Sequence, residues 1–217
     1  MSKSSESKPS DLRSRKRLAT RRAISFVADR LFQDRGFDNV TIDDIAAAAD
    51  VGRMTVFNYF PRKEDMFFDR DEEGREILRD TLLNRNSETS PIEALRLLAH
   101  QLLAEQRPYV EFSRRSQGFI RTIEGSETLK ARARAIRDEL AQVVSVALSE
   151  SVRRDPDDPD ARLAAAVLLA TWSIAFIEAH RTFRQSADTK AAEAMFLGIV
   201  DKGTVGLKAI LAGTPYI

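Results

Sequence analysis

Residues 41–60 read TIDDIAAAADVGRMTVFNYF, and this stretch decides the fold. Thr41 followed by Ile42-Asp43-Asp44 is a capping-box-like helix start. Asp43 and Asp44 fall in the first turn, where the helix dipole favours carboxylates. The helix over 42–49 is short and Ala-rich. Asp50-Val51-Gly52 makes a turn. A second short helix over 53–60 is stopped by Pro61, because the residue before a proline is pushed out of the α region. Two short helices on a tight turn are a helix-turn-helix. Ile45, Val51, Val56 and Phe60 supply its small core, and Ala46 and Ala49 let the helices approach closely.

The second helix exposes Arg53, Met54, Thr55, Phe57 and Asn58. In a helix-turn-helix the N-terminal end of this helix enters the major groove of DNA. Arg bonds guanine in bidentate fashion, Asn does the same for adenine, and Thr or Met meets the thymine methyl. Tyr59 and Lys63 lie at and beyond the far end. They suit phosphates, which fix register without reading sequence. Thr41 reaches a phosphate from the first helix. A plain helical hairpin in an all-α domain would show the same two helices. The tight turn, the cluster of base-reading side chains, Pro61 and a basic helix upstream together favour DNA.

That upstream helix spans residues 12–35. Its apolar positions Ile24, Val27, Ala28, Leu31 and Phe32 recur at helical spacing. Gly36 follows where a left-handed C-cap is expected. Residues 1–11 are polar and rich in Ser and Lys, and residues 1–16 are expected to form a disordered basic tail. Residues 1–63 hold 13 Lys/Arg against 8 Asp/Glu, whereas the remainder holds 21 against 25. The net charge of +1 therefore hides a basic N-terminus. Arg13, Arg15, Lys16, Arg17, Arg21 and Arg22 fall in ten residues. Such a cluster attracts a polyanion, usually nucleic acid. A solubilising tail carries the same charge, and charge alone does not separate the two.

Downstream, helical periodicity continues over 63–84, 91–107, 109–123, 127–153, 160–183 and 190–211. Pro91 sits at a first helical position after Ser90. No strand-like alternation stands out. The fold class is all-α, with about nine helices. Three Gly in the last helix, Gly198, Gly203 and Gly206, suggest close packing or a break near Gly203. The chain has no Cys, so disulfides and thiolate metal sites are excluded. No apolar segment marks a secretory signal near the start. The longest apolar run, over 164–170, is far short of the ~18–20 residues that span a bilayer. The only histidines, His100 and His180, show no metal-ligand spacing. No catalytic constellation and no Gly-rich phosphate loop is evident, so no enzyme, metal or cofactor is expected.

The segment GFDNVTIDDIAAAADVGRMTVFNYFPRKEDM, residues 36–66, together with Ala23, Ala28, Leu31 and Phe32, resembles the DNA-binding domain of the TetR, or tetracycline-repressor-type, family of bacterial transcriptional regulators. Two positions depart from the common pattern. Gly52 stands where the family often has a Ser cap, and Met54 where a small residue is frequent. The resemblance implies that Thr41, Tyr59 and Lys63 contact phosphates. It implies that Arg53, Thr55 and Asn58 lie near bases, with Met54 able to join them. It implies a helix-turn-helix domain over 17–77 and a helical effector-binding and dimerisation domain over 78–217. The last two long helices are the candidates for a dimeric four-helix bundle.

Candidates for a ligand pocket are aromatic or polar residues on apolar faces: Phe112, Gln117, Phe119, Trp172 and Phe176. Ordinary core packing explains any one of them equally. The implied partners are double-stranded DNA with a palindromic operator, a small-molecule effector and a second copy of the chain, in the cytoplasm and without a membrane. The leading reading is a repressor released by its effector. The alternative is an activator, or a ligand-independent regulator controlled by a protein partner.

Overall fold

The structure, a computed structural model, describes the backbone of residues 9–217. Residues 1–8 of the expected tail lie outside the described residues. Among the described residues there are ten α-helices, two short 3-10 turns and no strand. The helices are α1 Pro9–Arg35, α2 Ile42–Ala48, α3 Arg53–Tyr59, α4 Glu64–Phe67 and α5 Asp71–Leu83. They continue as α6 Pro91–Ala104, α7 Arg114–Glu124, α8 Glu127–Ser151, α9 Pro159–Ser186 and α10 Thr189–Ile210.

Two elements differ from the pattern expected of the sequence, one for a local reason and one for a tertiary reason. Residues 9–16 form the first turns of α1 rather than a disordered tail. No Gly or Pro interrupts residues 12–35, and Arg, Lys, Leu and Ala are good helix formers. The single helix expected over 63–84 is broken between α4 and α5. Side chains of α1 meet the break: Arg21 Nη2 donates to Asp69 O at 3.4 Å, and Ser25 Oγ donates to the Asp69 carboxylate and lies 3.4 Å from Met66 O. The break turns Met66 and Phe67 into a core.

The chain divides into two compact units. One holds the residues up to Asp69 together with Thr122–Leu129, and the other holds Arg70–Arg121 with Lys130–Ile217. The core of the first is built from Ile24, Ala28 and Phe32 of α1, Ile45 and Ala46 of α2, Val56 and Phe60, Met66 and Phe67, closed by Phe37, Val40 and Leu129.

The second unit packs α5, α6, α8, α9 and α10 around one larger core. By length and composition alone α9 is long and apolar enough to cross a membrane, which the seven-residue run in the sequence understated. Its buried face, from Ala161 through Leu168 and Ala175 to Phe183, is taken up by this core. Helix α10 does not break at Gly203. A Cβ there would lie 2.2 Å from Thr171 Cγ2, so the glycine lets α9 and α10 meet backbone to side chain. Gly198 and Gly206 face open space.

Ion pairs stitch the second unit. Glu93 of α6 accepts from Arg96 Nη2 at 2.7 Å and from Lys208 Nζ of α10 at 2.7 Å. Arg96 Nη1 reaches Asp201 at 3.0 Å, and His100 Nε2 reaches the same carboxylate at 2.8 Å. On the α5–α8 side, Arg75 bridges Asp71 and Glu139, and Arg132 reaches Glu139 at 2.7 Å.

Two predictions follow from this packing. Gly203→Ala should destabilise the protein by roughly 1–3 kcal/mol through overpacking against Thr171. Gly74→Ala, inside α5 with nothing near its would-be Cβ, should stabilise it by about 1 kcal/mol. Urea unfolding of both variants checks the contrast. The second concerns acid. Hydrogen bonds from Arg96, and then from Lys208, hold the Glu93 carboxyl down to about 2 from its ordinary 4.5. A depressed carboxylate contributes stability above its unfolded pKa and loses it as pH falls toward the folded one. Stability should therefore fall between about pH 4.5 and 2. Glu93→Gln should flatten that part of the profile of unfolding midpoint against pH.

Candidate nucleic-acid interface

The first unit presents two helices of seven residues each, α2 and α3. Both begin and end on specific bonds. Thr41 Oγ1 accepts from Asp44 N at 3.1 Å, and Asp44 Oδ2 accepts from Thr41 N at 2.8 Å, a complete capping box. The Thr41 hydroxyl, which donates to Asp44 Oδ2 at 2.5 Å, and then the Thr41 N–H, with Arg35 near by, hold the Asp44 carboxyl below its ordinary range. Helix α2 ends in a Schellman turn: Val51 N donates to Ala46 O at 3.0 Å and Asp50 N to Ala47 O at 3.3 Å. Asp50 takes the left-handed conformation this needs, at φ 52°. Asp tolerates that region better than most side chains.

Helix α3 starts from Gly52, whose carbonyl accepts from Thr55 N at 2.8 Å. Val56 is buried, and Arg53, Met54 and Asn58 are exposed. Met54 is 71% exposed, unusual for a large apolar side chain. Thr55, Phe57 and Tyr59 are half-buried, and Tyr59 packs against the core. At the far end Arg21 Nη1 donates to Tyr59 O at 2.9 Å while its guanidinium lies 4.3 Å from the centre of the Phe60 ring. One cation of the basic cluster thus closes the C-terminus of α3, where the helix dipole favours it.

Lys63 also has a definite internal position. Its Nζ donates to Phe37 O at 2.8 Å and Val40 O at 2.9 Å, and sits 4.1 Å from the centre of the Phe37 ring. Burial pushes its pKa down, and Asp38 and Glu64 oppose that. Lys63 therefore pins the 3-10 turn Phe37–Asn39 that delivers the chain to Thr41. Gly36 enters that turn at φ 79°, where only Gly is unstrained.

Arg13, Arg15, Lys16, Arg17 and Arg22 of α1 are exposed and have no ion-pair partner among the described residues. From Arg13 onward, the first buried side chain of α1 is Ile24. Residues 13–19 are exposed, and Arg13 and Arg17 stand one turn apart, a repulsive spacing.

Residues 26–69 match the family model described as bacterial regulatory proteins, tetR family. A 49-residue segment is 47% identical to MftR of Mycobacterium tuberculosis, named as a mycofactocin biosynthesis transcriptional regulator. The N-terminal domain belongs to the TetR family. The MftR match spans 23% of this chain and 25% of that protein. Over the whole chain the likeness is one of fold. A TetR-family transcriptional regulator from Mesorhizobium loti is 18% identical with a TM-score of 0.56, covering 89% of this chain and 97% of that one. NalD of Pseudomonas aeruginosa, the secondary repressor of the MexAB-OprM multidrug efflux pump, is 20% identical with a TM-score of 0.56, covering 87% and 97%.

The second unit gathers three of the five pocket candidates. Phe112 is buried, 6.1 Å from Phe176 and 5.8 Å from Phe196 between ring centres. His180, which the sequence reading set aside, lies 5.0 Å from Phe112 and 4.4 Å from Phe176. Gln117 Nε2 donates to His180 O at 3.1 Å and lies 3.0 Å from His180 Nδ1. The signal for His180 was its place on the face of α9 marked by Trp172 and Phe176, at four-residue intervals. Trp172 is half-buried on that face, and Phe119 stands exposed on α7. Gln117 Oε1 and Trp172 Nε1 are buried without a hydrogen-bond partner among the described residues.

The lysine contact carries a test. Lys63→Met keeps the aliphatic stem but leaves two carbonyls without their donor. It should cost ~1–3 kcal/mol of stability and speed hydrogen exchange at the Thr41 and Asp44 amides. Unchanged stability and exchange would mean that the clasp contributes nothing to the fold of the TetR-type domain.

Proposed function

We propose that the protein is a DNA-binding transcriptional regulator that reads a palindromic operator as a homodimer and is released from it by a small molecule. The observation that carries the DNA half is the exposed face of α3. Arg53, Met54 and Asn58 stand together on a helix whose two ends are fixed, within a TetR-type domain. These side chains offer bidentate donors for guanine, a donor–acceptor pair for adenine and an apolar contact for the thymine methyl. Thr41 and Tyr59 flank them and suit phosphates. Lys63 keeps one N–H beyond its two carbonyl partners and adds positive potential there. The unpaired cations of α1 supply further attraction for the DNA backbone.

The dimer reading is supported by the second unit. Ile174 and Ile177 of α9, and Met195, Val205 and Ile210 of α10, are large apolar side chains left exposed. Val205 is 70% exposed. Gly198, Gly206 and Ala209 stand exposed among them and allow a second pair of helices to approach closely. An apolar surface on two adjacent long helices fits an isologous four-helix interface. A two-fold dimer reads a palindrome.

The effector reading is supported by the aromatic cluster with its two unpartnered polar atoms. A ligand that donates to Gln117 Oε1 or accepts from Trp172 Nε1 would relieve a buried unsatisfied group. Repression is the mode named for NalD, and it is the mode proposed here. Coupling of about 1–3 kcal/mol between effector and operator is enough for a 5–150-fold loss of DNA affinity. A regulator of this kind works in the cytoplasm, where its DNA is.

The test is a titration of the full-length protein against duplexes that it enriches from a randomised library, at two salt concentrations. Saturable binding with two protomers per palindrome is expected, with affinity falling steeply as salt rises. Arg53→Ala and Asn58→Ala should each change base preference at one position per half-site, by ~1–3 kcal/mol. Failure to enrich any sequence, or loss of binding that is independent of salt, would overturn the DNA reading.

A further inference from the structure

The base-reading arginine of α3 does not extend freely into solvent. Arg53 Nη1 donates to both oxygens of Asp43, at 3.2 Å to Oδ1 and 3.0 Å to Oδ2. Its guanidinium carbon lies 5.6 Å from the centre of the Phe57 ring, one helical turn on. Asp43 belongs to the first turn of α2 and Arg53 to the first turn of α3, so the bond crosses the helix-turn-helix. Both side chains are more than half exposed.

We infer that Asp43 is a positioning residue that fixes how Arg53 meets a base, and so sets the sequence preference of the recognition helix. The inference rests on the DNA-binding reading above and deepens it. A carboxylate beside the leading residue of a groove-entering helix repels the phosphates that the cations near by attract. By itself it lowers affinity for every DNA sequence alike. What it supplies in return is geometric. A free arginine has many rotamers, and ordering one on binding costs about 0.5–1.5 kcal/mol. Asp43 takes Nη1, and the Phe57 ring centre lies 5.6 Å from the guanidinium carbon. The edge formed by Nε and Nη2 keeps its donors for the paired acceptors O6 and N7 of a guanine. The ion pair is weak in water. It strengthens when DNA excludes solvent from both groups.

The device separates two quantities that a plain cation does not. Asp43 reduces attraction to any duplex and raises attraction to the right one. The ratio of the two affinities is therefore the measurement that reports it. A structural role for Asp43 in α2 would change both affinities together.

The experiment uses full-length wild type, Asp43→Asn, Asp43→Ala, Arg53→Ala and the double variant Asp43→Ala/Arg53→Ala. The probes are a duplex enriched by wild type from a randomised library, single-base variants of it, and a shuffled duplex of equal length. Thermal unfolding first establishes that each variant is folded. Both Asp43 variants should bind the shuffled duplex as tightly as wild type or more tightly. Their preference for the enriched duplex over the shuffled one should fall about 5- to 100-fold, the range of one lost bidentate contact. The loss should sit at the single base pair where Arg53→Ala also loses preference, and the double variant should be no worse than Arg53→Ala. An unchanged ratio, a loss spread over all positions, or additive losses in the double variant would each overturn the inference. Should wild type enrich no sequence at all, the DNA-binding reading falls and this inference falls with it. Asp43 variants that fail against a sound wild-type preference refute the positioning role alone.

Discussion

A helix of seven residues does not hold itself together in water. Nucleating the first turn costs more than so few bonds return. The TetR-type domain displays two such helices, and its architecture answers that constraint. Helix α2 is closed by the Thr41–Asp44 box at one end and the Schellman turn on Asp50 at the other. Helix α3 has no side-chain cap at its start and relies on Arg21 at its end. Ile45, Ala46 and Val56 then fasten both to the same core. With both ends tied and one face buried, the opposite face of α3 is free to carry side chains chosen for something other than stability. Met54 and Asn58 could not be justified there by packing.

The same economy governs charge. In the second unit the basic side chains at the helix contacts are matched: Arg96 and Lys208 on Glu93, Arg75 and Arg132 on Asp71 and Glu139. In the first unit two cations are internal. Lys63 is spent on the carbonyls of the 36–41 connection, and Arg21 on those at the ends of α3 and α4. Arg53 is shared with Asp43. The early turns of α1 keep their cations unmatched, although the chain as a whole has almost equal numbers of acids and bases. Segregation on this scale is costly to exposed helical turns. It is relieved by a polyanion laid along them.

Much of this was legible in the sequence because it is local. The capping box, the Pro61 stop and the periodic faces of the long helices each depend on residues within a turn or two of one another. The all-α class and the helix-turn-helix follow from them. Less legible were features set by tertiary partners. The break after Phe67 depends on Ser25 and Arg21, more than forty residues upstream in the chain. Lys63 looked like a phosphate ligand from its place beyond α3, and only the folded connection shows two carbonyls converging on it. Asp43 and Arg53 are ten residues apart with nothing in that spacing to pair them. His180 was judged by metal-ligand spacing, which missed its place beside Phe112 and Gln117.

The second unit raises a different question of economy. A buried amide oxygen or indole N–H without a partner costs about 1–3 kcal/mol. Replacing Trp172 by Phe would remove that cost and keep most of the volume, whereas replacing Gln117 by Leu would also forfeit the bond its Nε2 gives His180 O. A core under selection for stability alone has no reason to retain the indole N–H. The unpartnered atoms lie on or beside the one face of α9 where aromatic rings collect, at Trp172, Phe176 and His180, rather than scattered through the core. Their cost is recovered if the unit spends part of its time around a guest that donates to the amide or accepts from the indole. Such a guest would draw its affinity from the aromatic walls and its specificity from the polar atoms. An apolar molecule of the same size would leave both atoms as they are. On this argument the proposed effector is flat or aromatic and carries at least one hydrogen-bonding group.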